Sequence, residues 1–379
     1  MRLAYFYRII RFFKAYRGEK VHLKDKVMTA LKAFISLGLM AYLFYHFLSD
    51  PQDRQILLTI LTTANYWYLL LALALFVVAI ITNGVKWYIL LRAQGIPVPL
   101  GSVISYTFVG SFFNNFLPAN VGGDVMRGYG LARYTERSAE AAVSVVVDRI
   151  IGLLAFMFTA VVAALAAVNI IPTGQSQTDQ LLAQNLAQVE IVAMLGMVVI
   201  VVAFAVMLSQ RLRQLIGYLF DSKGLKPLQP LYHRISDAFG AYRHQFAALL
   251  MAFAVGVGTV LLTGLVDIAI VAGLNGAIPP IYIFLFNPII AVALIAPISI
   301  GGLGTGSLLY VYFYGLVGVP ATLAFALSLL KQGIVYVGSL PGGVLWLRRR
   351  EPKSSSGPAG AEGRLVETQP AGEIEQKAL

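Results

Sequence analysis

Leu117-Pro118-Ala119-Asn120-Val121-Gly122-Gly123-Asp124 interrupts a long apolar run, and Ala296-Pro297-Ile298-Ser299-Ile300-Gly301-Gly302-Leu303-Gly304 interrupts another much later in the chain. Proline stops a helix, because it lacks an N–H and clashes with the preceding turn. Paired glycines then leave a backbone without a Cβ to obstruct a neighbour or a ligand. Two such breaks at matching places in two halves point to a substrate site where internal repeats meet.

The sequence around the breaks is of membrane type. The chain is 58% hydrophobic and only 12% charged, with a mean hydropathy of +0.75. Six segments are long enough to cross about 30 Å of hydrocarbon as helices: 27–48, 66–91, 139–168, 187–209, 246–272 and 321–347. The stretches 101–117 and 281–317, which carry the breaks, are too short or too interrupted to be ordinary spans. The Gln- and Thr-rich segment 173–188 reads as a solvated outer connection.

Loop charge sets the orientation. The N-terminus, segment 210–245 and Arg348-Arg349-Arg350 are basic, whereas 169–186 lacks Lys and Arg and 273–280 carries no charge. Basic loops stay inside, so both termini are expected on the cytoplasmic side of the cytoplasmic membrane. That count makes each broken stretch a re-entrant hairpin, the first entering from inside and the second from outside. The expected fold is therefore an all-α integral membrane protein: six full transmembrane helices plus two re-entrant helical hairpins in an inverted repeat. Its repeats are 27–168 and 187–347. Ten complete spans without repeats is the alternative.

The ends are different in kind. In residues 1–26, Tyr5, Ile9, Phe12, Phe13 and Tyr16 share one helical face and Arg8, Arg11, Lys14 and Arg17 another, which predicts a helix lying on an anionic membrane surface. The tail 351–379 has few apolar residues and no periodicity, so it is expected to be disordered. The net charge of +11 belongs to membrane-flanking segments, and nucleic acid is not an expected partner. Cysteine is absent, which excludes disulfides and thiol chemistry. His22, His46, His233 and His244 are scattered, so no metal and no cofactor are expected.

Candidate site residues are the ionisable groups within spans and the two tips. Asp148 and Arg149 lie well inside the 139–168 helix, Lys331 is mid-way along the last helix, and Asp267 is nearer the outer end of its helix. A charge at a helix centre costs roughly 2.5–3.5 kcal/mol on insertion, so these groups must face protein or water. They are either structural pairs, Asp148 with Arg149 and Asp267 with Lys331, or part of a substrate pathway. At the first tip, Asn114 and Asn115 approach the break, and a half-helix beginning near Gly122, Gly123 and Asp124 presents free N–H groups suited to phosphate. Asn120 sits on that tip, and Ser299, Gly301, Gly302 and Gly304 on the second. The same glycines also serve tight packing. Asp124 is a helix cap or a site group, and Arg127 a phosphate partner or an interface anchor. Ser144 precedes Asp148 by four residues as Ser328 precedes Gln332. This echo predicts Asp148–Arg149 and Lys331–Gln332 on opposed helices about one cavity for an anionic headgroup.

At these residues the chain resembles the lysylphosphatidylglycerol synthase transmembrane family, the flippase-like domain of the multiple peptide resistance factor. The resemblance rests on Asn115-Phe116-Leu117-Pro118, Gly122-Gly123-Asp124, Arg127, Ser144, Asp148-Arg149, Gly152-Leu153 and Pro297 with Gly301-Gly302-Leu303-Gly304, over roughly 27–347. It implies a domain that moves lipids between leaflets, the cargo being an anionic or aminoacylated phospholipid or a polyprenyl-linked lipid. Membrane lipids are then the partners, and a homo-oligomer stays open. Bifunctional relatives carry a soluble aminoacyl-transferase domain after the membrane part. Residues 351–379 are too few for one, so no synthesis of lysyl-lipid and no enzyme activity are expected. Many relatives also place a glutamate after the second tip, where Gly304-Thr305-Gly306-Ser307 has none, so proton coupling through that carboxylate is not expected. Two other functions remain: a membrane transferase acting on a lipid phosphate, and an ion-coupled transporter of a small polar solute.

Overall fold

The computed structural model describes residues 23–116, 122–170, 177–209, 236–296 and 298–348. The N-terminal arm up to residue 22, Pro118, Asn120, Pro297 and the 351–379 tail lie outside the described residues. The chain divides into a body, 1–347, and a C-terminal unit, 348–379, of which Arg348 is described. Among the described residues the regular elements are all helices: α1 (Leu23–Ser49), α2 (Pro51–Thr62), α3 (Tyr66–Ala93), α4 (Leu100–Phe116), α5 (Gly122–Thr135), α6 (Ser138–Ile170), α7 (Gln177–Leu208), α8 (Phe246–Gly273), α9 (Pro280–Ala293), α10 (Thr305–Gly315) and α11 (Ala321–Arg348).

Six of them, α1, α3, α6, α7, α8 and α11, are long and apolar enough to cross a membrane. These are the six expected from the sequence. At 1.5 Å per residue the 28 residues of α3 reach about 42 Å, whereas α5, α9 and α10 reach only about 16–21 Å and α4 about 25 Å. Both broken stretches are thus pairs of helices each shorter than a bilayer core. One local expectation changes. Residues 177–188 are not a loop, because α7 begins at Gln177; Gln, Leu and Ala are good helix formers, and no Pro or Gly stops the turn. Between the first two spans the chain forms α2, started by Pro51 and capped by Asp50, whose carboxylate accepts the Gln52 N–H at 2.8 Å.

Lipid is as apolar as leucine, so helix association depends on close packing more than on the hydrophobic effect. The structure meets this with small residues at crossings. A Cβ on Gly342 of α11 would overlap the Phe108 carbonyl of α4, and one on Gly123 of α5 would overlap the Gly110 carbonyl of α4. Two of the resulting cores include the helices of the broken stretches. Phe47, Phe325, Ile270, Phe286 and Tyr314 join α1, α8, α9, α10 and α11, with the Phe47 and Phe325 rings stacked at 4.7 Å. Trp87, Leu91, Val103, Tyr106, Leu131 and Ala141 join α3, α4, α5 and α6. By contrast α7 leaves Ile191, Leu195, Val198 and Val202 exposed, as a lipid-facing helix does.

α3 and α8 pack antiparallel: Gly273 lies against Tyr68, and Gly256 against the stem of Lys86. The two helices also end alike. The Ile96 N–H donates to the Leu91 carbonyl at 3.0 Å and the Gly276 N–H to the Val271 carbonyl at 2.9 Å, each five residues back. Gly95 and Asn275 supply the left-handed residue of this Schellman-type stop. Gly84 of α3 then receives Ile104 of α4, and Gly264 of α8 receives Phe284 of α9.

Candidate functional site: two buried charge networks

The first network gathers three cations and two carboxylates from α3, α5 and α6. Asp148 of α6 is its hub. Lys86 Nζ lies 3.1 Å from Asp148 Oδ1, and Arg127 Nη2 donates to Asp148 Oδ2 at 2.7 Å. Lys86 also donates to the Asp148 backbone carbonyl at 3.2 Å, pinning α3 to α6. Arg127 Nε reaches Asp124 Oδ1 at 2.9 Å, one helical turn back, and Arg149 Nε pairs with Asp124 Oδ2. The Arg127 guanidinium sits 4.9 Å from the centre of the Trp87 ring. The Trp87 indole N–H donates to Ser144 Oγ at 3.2 Å, which fixes the ring. Lys86, Asp124, Arg127 and Asp148 are all buried, whereas the Arg149 side chain is 42% exposed. Among the described residues three cations stand against two carboxylates, and Arg149 is the most exposed of the five.

The second network is neutral and lies between α8, α9, α10 and α11. Lys331 Nζ donates to Asp267 Oδ2 at 2.8 Å and also reaches Asn287 Oδ1 and the Tyr310 hydroxyl. That hydroxyl lies 2.9 Å from Asp267 Oδ2 and 2.7 Å from Asn287 Oδ1. One turn before Lys331, Ser328 Oγ donates to Ser307 Oγ at 2.9 Å, in the first turn of α10. Asp267 has no exposed surface, and the Lys331 side chain keeps 23%.

Apart from the networks, the second tip meets the end of α4. Gly301, Gly302 and Gly304 all have positive φ (59°, 76° and 76°), which a residue with a Cβ adopts at a cost. A Cβ on Gly301 would stand 2.9 Å from the Asn115 carbonyl oxygen, so that turn and the end of α4 are in close contact. Asn115 Nδ2 donates to Ser339 Oγ of α11 at 2.7 Å. The Ile300 N–H donates to Ser36 Oγ of α1 at 2.8 Å. Ser299 is buried, with its hydroxyl against that of Thr305.

Residues 29–342, the whole of this architecture except its margins, match the family model described as the lysylphosphatidylglycerol synthase TM region. The chain belongs to this family. Comparison with curated proteins and with solved structures gives no match. Membership in the lysylphosphatidylglycerol synthase TM family, with six apolar helices of spanning length, makes this a multi-pass membrane protein of a lipid-related kind.

Of the residues singled out from sequence, Asp124, Arg127, Asp148 and Arg149 come together in the first network. Asp148 and Arg149 do not pair with each other, because consecutive helix residues do not face one another; Asp148 takes Lys86 and Arg127, and Arg149 takes Asp124. The pair Asp267–Lys331 does form. Lys331 therefore sits in a different network from Arg149, and the described contacts give the two no shared partner. Gln332 stays outside both, hydrogen-bonded to Tyr336 on its own helix. The Gly123 N–H, expected to be free, donates to Asn114 Oδ1 at 2.8 Å, so a side chain already caps that half-helix. Gly122 is half-buried beside it. Lys86, Trp87, Asn287, Tyr310, Ser36 and Ser339 were not foreseen. Lys86 carried a readable signal, a lone cation more than one turn inside an apolar helix.

Proposed function

We propose that the chain is a lipid translocase of the cytoplasmic membrane, carrying a lipid with an anionic phosphate headgroup between leaflets while the tails remain in the bilayer. The observation that carries this is the surplus of cations over carboxylates among the described residues of the first network, with the exposed Arg149 guanidinium held by Asp124 at the start of α5. Cations gathered in a low-dielectric interior favour an anionic ligand, and Arg149 is the member of this network that such a ligand can reach. A guanidinium suits a phosphate because its donors match the phosphate oxygens in pairs. No covalent bond changes in this cycle, and neither cofactor nor metal takes part.

The transport cycle we infer uses an inverted repeat, with α3–α4 and α8–α9 as corresponding units. Five positions support the correspondence: Leu91 and Val271, Gly95 and Asn275, Ile96 and Gly276, Gly84 and Gly264, and Ile104 and Phe284 play the same local parts, the second always 180 positions after the first. The antiparallel packing of α3 on α8 fits opposite orientation. In this scheme α4–α5 and α9–α10 are re-entrant hairpins, the termini are cytoplasmic, and rocking of one repeat against the other moves the headgroup site between the two sides.

The test is leaflet exchange in proteoliposomes with labelled phosphatidylglycerol and a labelled polyprenyl phosphate lipid, comparing wild type with Arg149→Gln at equal incorporation. Exchange above protein-free vesicles that falls at least tenfold in the variant supports the proposal. No exchange of either lipid by folded wild type overturns it.

A further inference from the structure

The second network holds a carboxylate that is satisfied on one side only. Asp267 Oδ2 receives both Lys331 Nζ and the Tyr310 hydroxyl, while Asp267 Oδ1 is buried with no hydrogen-bond partner. The hydroxyl of Tyr314, one turn beyond Tyr310 on α10 with its ring stacked on the Tyr310 ring at 5.6 Å, is also buried without a partner. Tyr314 interacts electrostatically with Asp267. An unsatisfied oxygen in a dry site is expensive, and native proteins keep few of them. The unpartnered Oδ1 is therefore the place on this network where a proton would be accepted.

Access to the network is one-sided. Asp267, Asn287 and Tyr310 are buried, and Lys331 alone keeps appreciable exposure. An anion approaching this face of the bundle therefore meets the ammonium and not the carboxylate. As it stands the pair is neutral. An anion bound at Lys331 would leave the site with a net negative charge beside a buried carboxylate, which a low-dielectric interior resists. One proton on Asp267 Oδ1 restores neutrality, and Lys331 then turns from Oδ2 to the anion without becoming a buried, unpaired cation.

We propose that Lys331 is a second binding group for the anionic headgroup, at a station separate from Arg149, and that Asp267 takes up one proton when the headgroup binds there, so that lipid and proton are carried together. The balance is simple: the carboxylate gains H⁺ to become a carboxyl, the lysine stays an ammonium, and the headgroup replaces Asp267 as its counter-ion. The charged and titratable groups that face Asp267 among the described residues are Lys331 of α11 and Tyr310 and Tyr314 of α10, with the neutral Asn287 facing it from α9. The proposal rests on the translocase function for its physiological meaning but not for its binding chemistry.

The experiment titrates the full chain in detergent with short-chain phosphatidylglycerol by calorimetry, in buffers of different ionisation enthalpy and over a range of pH. Uptake of one proton per lipid makes the affinity fall about tenfold for each pH unit on the alkaline side of the Asp267 titration. Asp267→Asn stands in for the neutral carboxyl, so it is expected to bind as tightly as wild type does in acid, with no proton uptake and no pH slope. Lys331→Gln is expected to lose at least tenfold in affinity. Wild-type binding without proton uptake, a requirement for Na⁺ in its place, or an unchanged slope in Asp267→Asn overturns the proposal. The buffer comparison on wild type decides the matter even if a variant fails to fold. Lipid exchange between leaflets without proton uptake sinks this proposal and leaves the translocase standing; proton-linked binding without exchange does the reverse.

Discussion

Replacing Asp148 by asparagine removes one charge and almost no volume. Its consequences follow from the two cations it holds, Lys86 at 3.1 Å and Arg127 at 2.7 Å, in a network where the carboxylate is 2% exposed. Removing one partner of a buried ion pair costs about 3–5 kcal/mol, because the other charge stays buried without compensation. Arg127 keeps Asp124 at 2.9 Å and its place on the Trp87 ring, so the loss falls mostly on Lys86 and the lower end, about 3 kcal/mol, is expected. That lowers the folded-to-unfolded ratio by roughly two powers of ten. The assay is reversible unfolding in mixed micelles of SDS and a mild detergent, followed by tryptophan fluorescence, for which Trp87 is a reporter inside the network. A second substitution supplies the control: Asp148→Asn combined with Lys86→Met removes the orphaned charge as well, and recovers at least about 1 kcal/mol over the single variant. A loss below about 1 kcal/mol for Asp148→Asn, or a double variant less stable than the single one, would refute the idea that these charges are desolvated.

Arg149→Gln should separate transport from stability: its side chain is 42% exposed, so unfolding shifts by less than about 1 kcal/mol while leaflet exchange falls at least tenfold. Gly342→Val places a Cβ where the Phe108 carbonyl of α4 stands, and the resulting backbone displacement should cost about 1–3 kcal/mol or more in the same unfolding assay. Ser36→Ala leaves the Ile300 N–H without its acceptor, so hydrogen exchange at the second tip should quicken while exchange in α6 is unchanged. The chain has no cysteine, so single Pro97→Cys and Ala277→Cys variants, both on exposed connections, report orientation directly. An impermeant maleimide added to intact cells should label Ala277→Cys and spare Pro97→Cys; labelling of both from one side would end the inverted-repeat scheme.

The parts of this molecule that were legible in its sequence are those where one residue carries the signal alone. Twenty or more apolar residues announce a span regardless of what packs against it, and all six spans lie where hydropathy puts them. Asp148, Arg149, Asp267 and Lys331 are conspicuous for the same reason, since a charge in hydrocarbon needs an explanation wherever its partner is. Partners are a different matter. Asp148 finds Lys86 from 62 residues earlier and Arg127 from another helix, while the adjacent Arg149 points away, a choice set by helix rotation and crossing that no local pattern encodes. Asn114 looked like part of an open anion site and instead closes it, because the spacing that brings an asparagine near a glycine tip also lets it cap the half-helix there. Both outcomes bear on mechanism. With the Gly123 N–H already taken, a headgroup at the first break has the Arg149 guanidinium to bind. Removing that one side chain should therefore cost the site most of its affinity. A site built from several free backbone amides would lose only a fraction, and measuring the phosphate affinity of Arg149→Gln against that of Asn114→Ala distinguishes the two. If Asn114→Ala tightens binding by freeing the amide, the cap is a brake on the site; if it only loosens the tip, the asparagine is there for the fold.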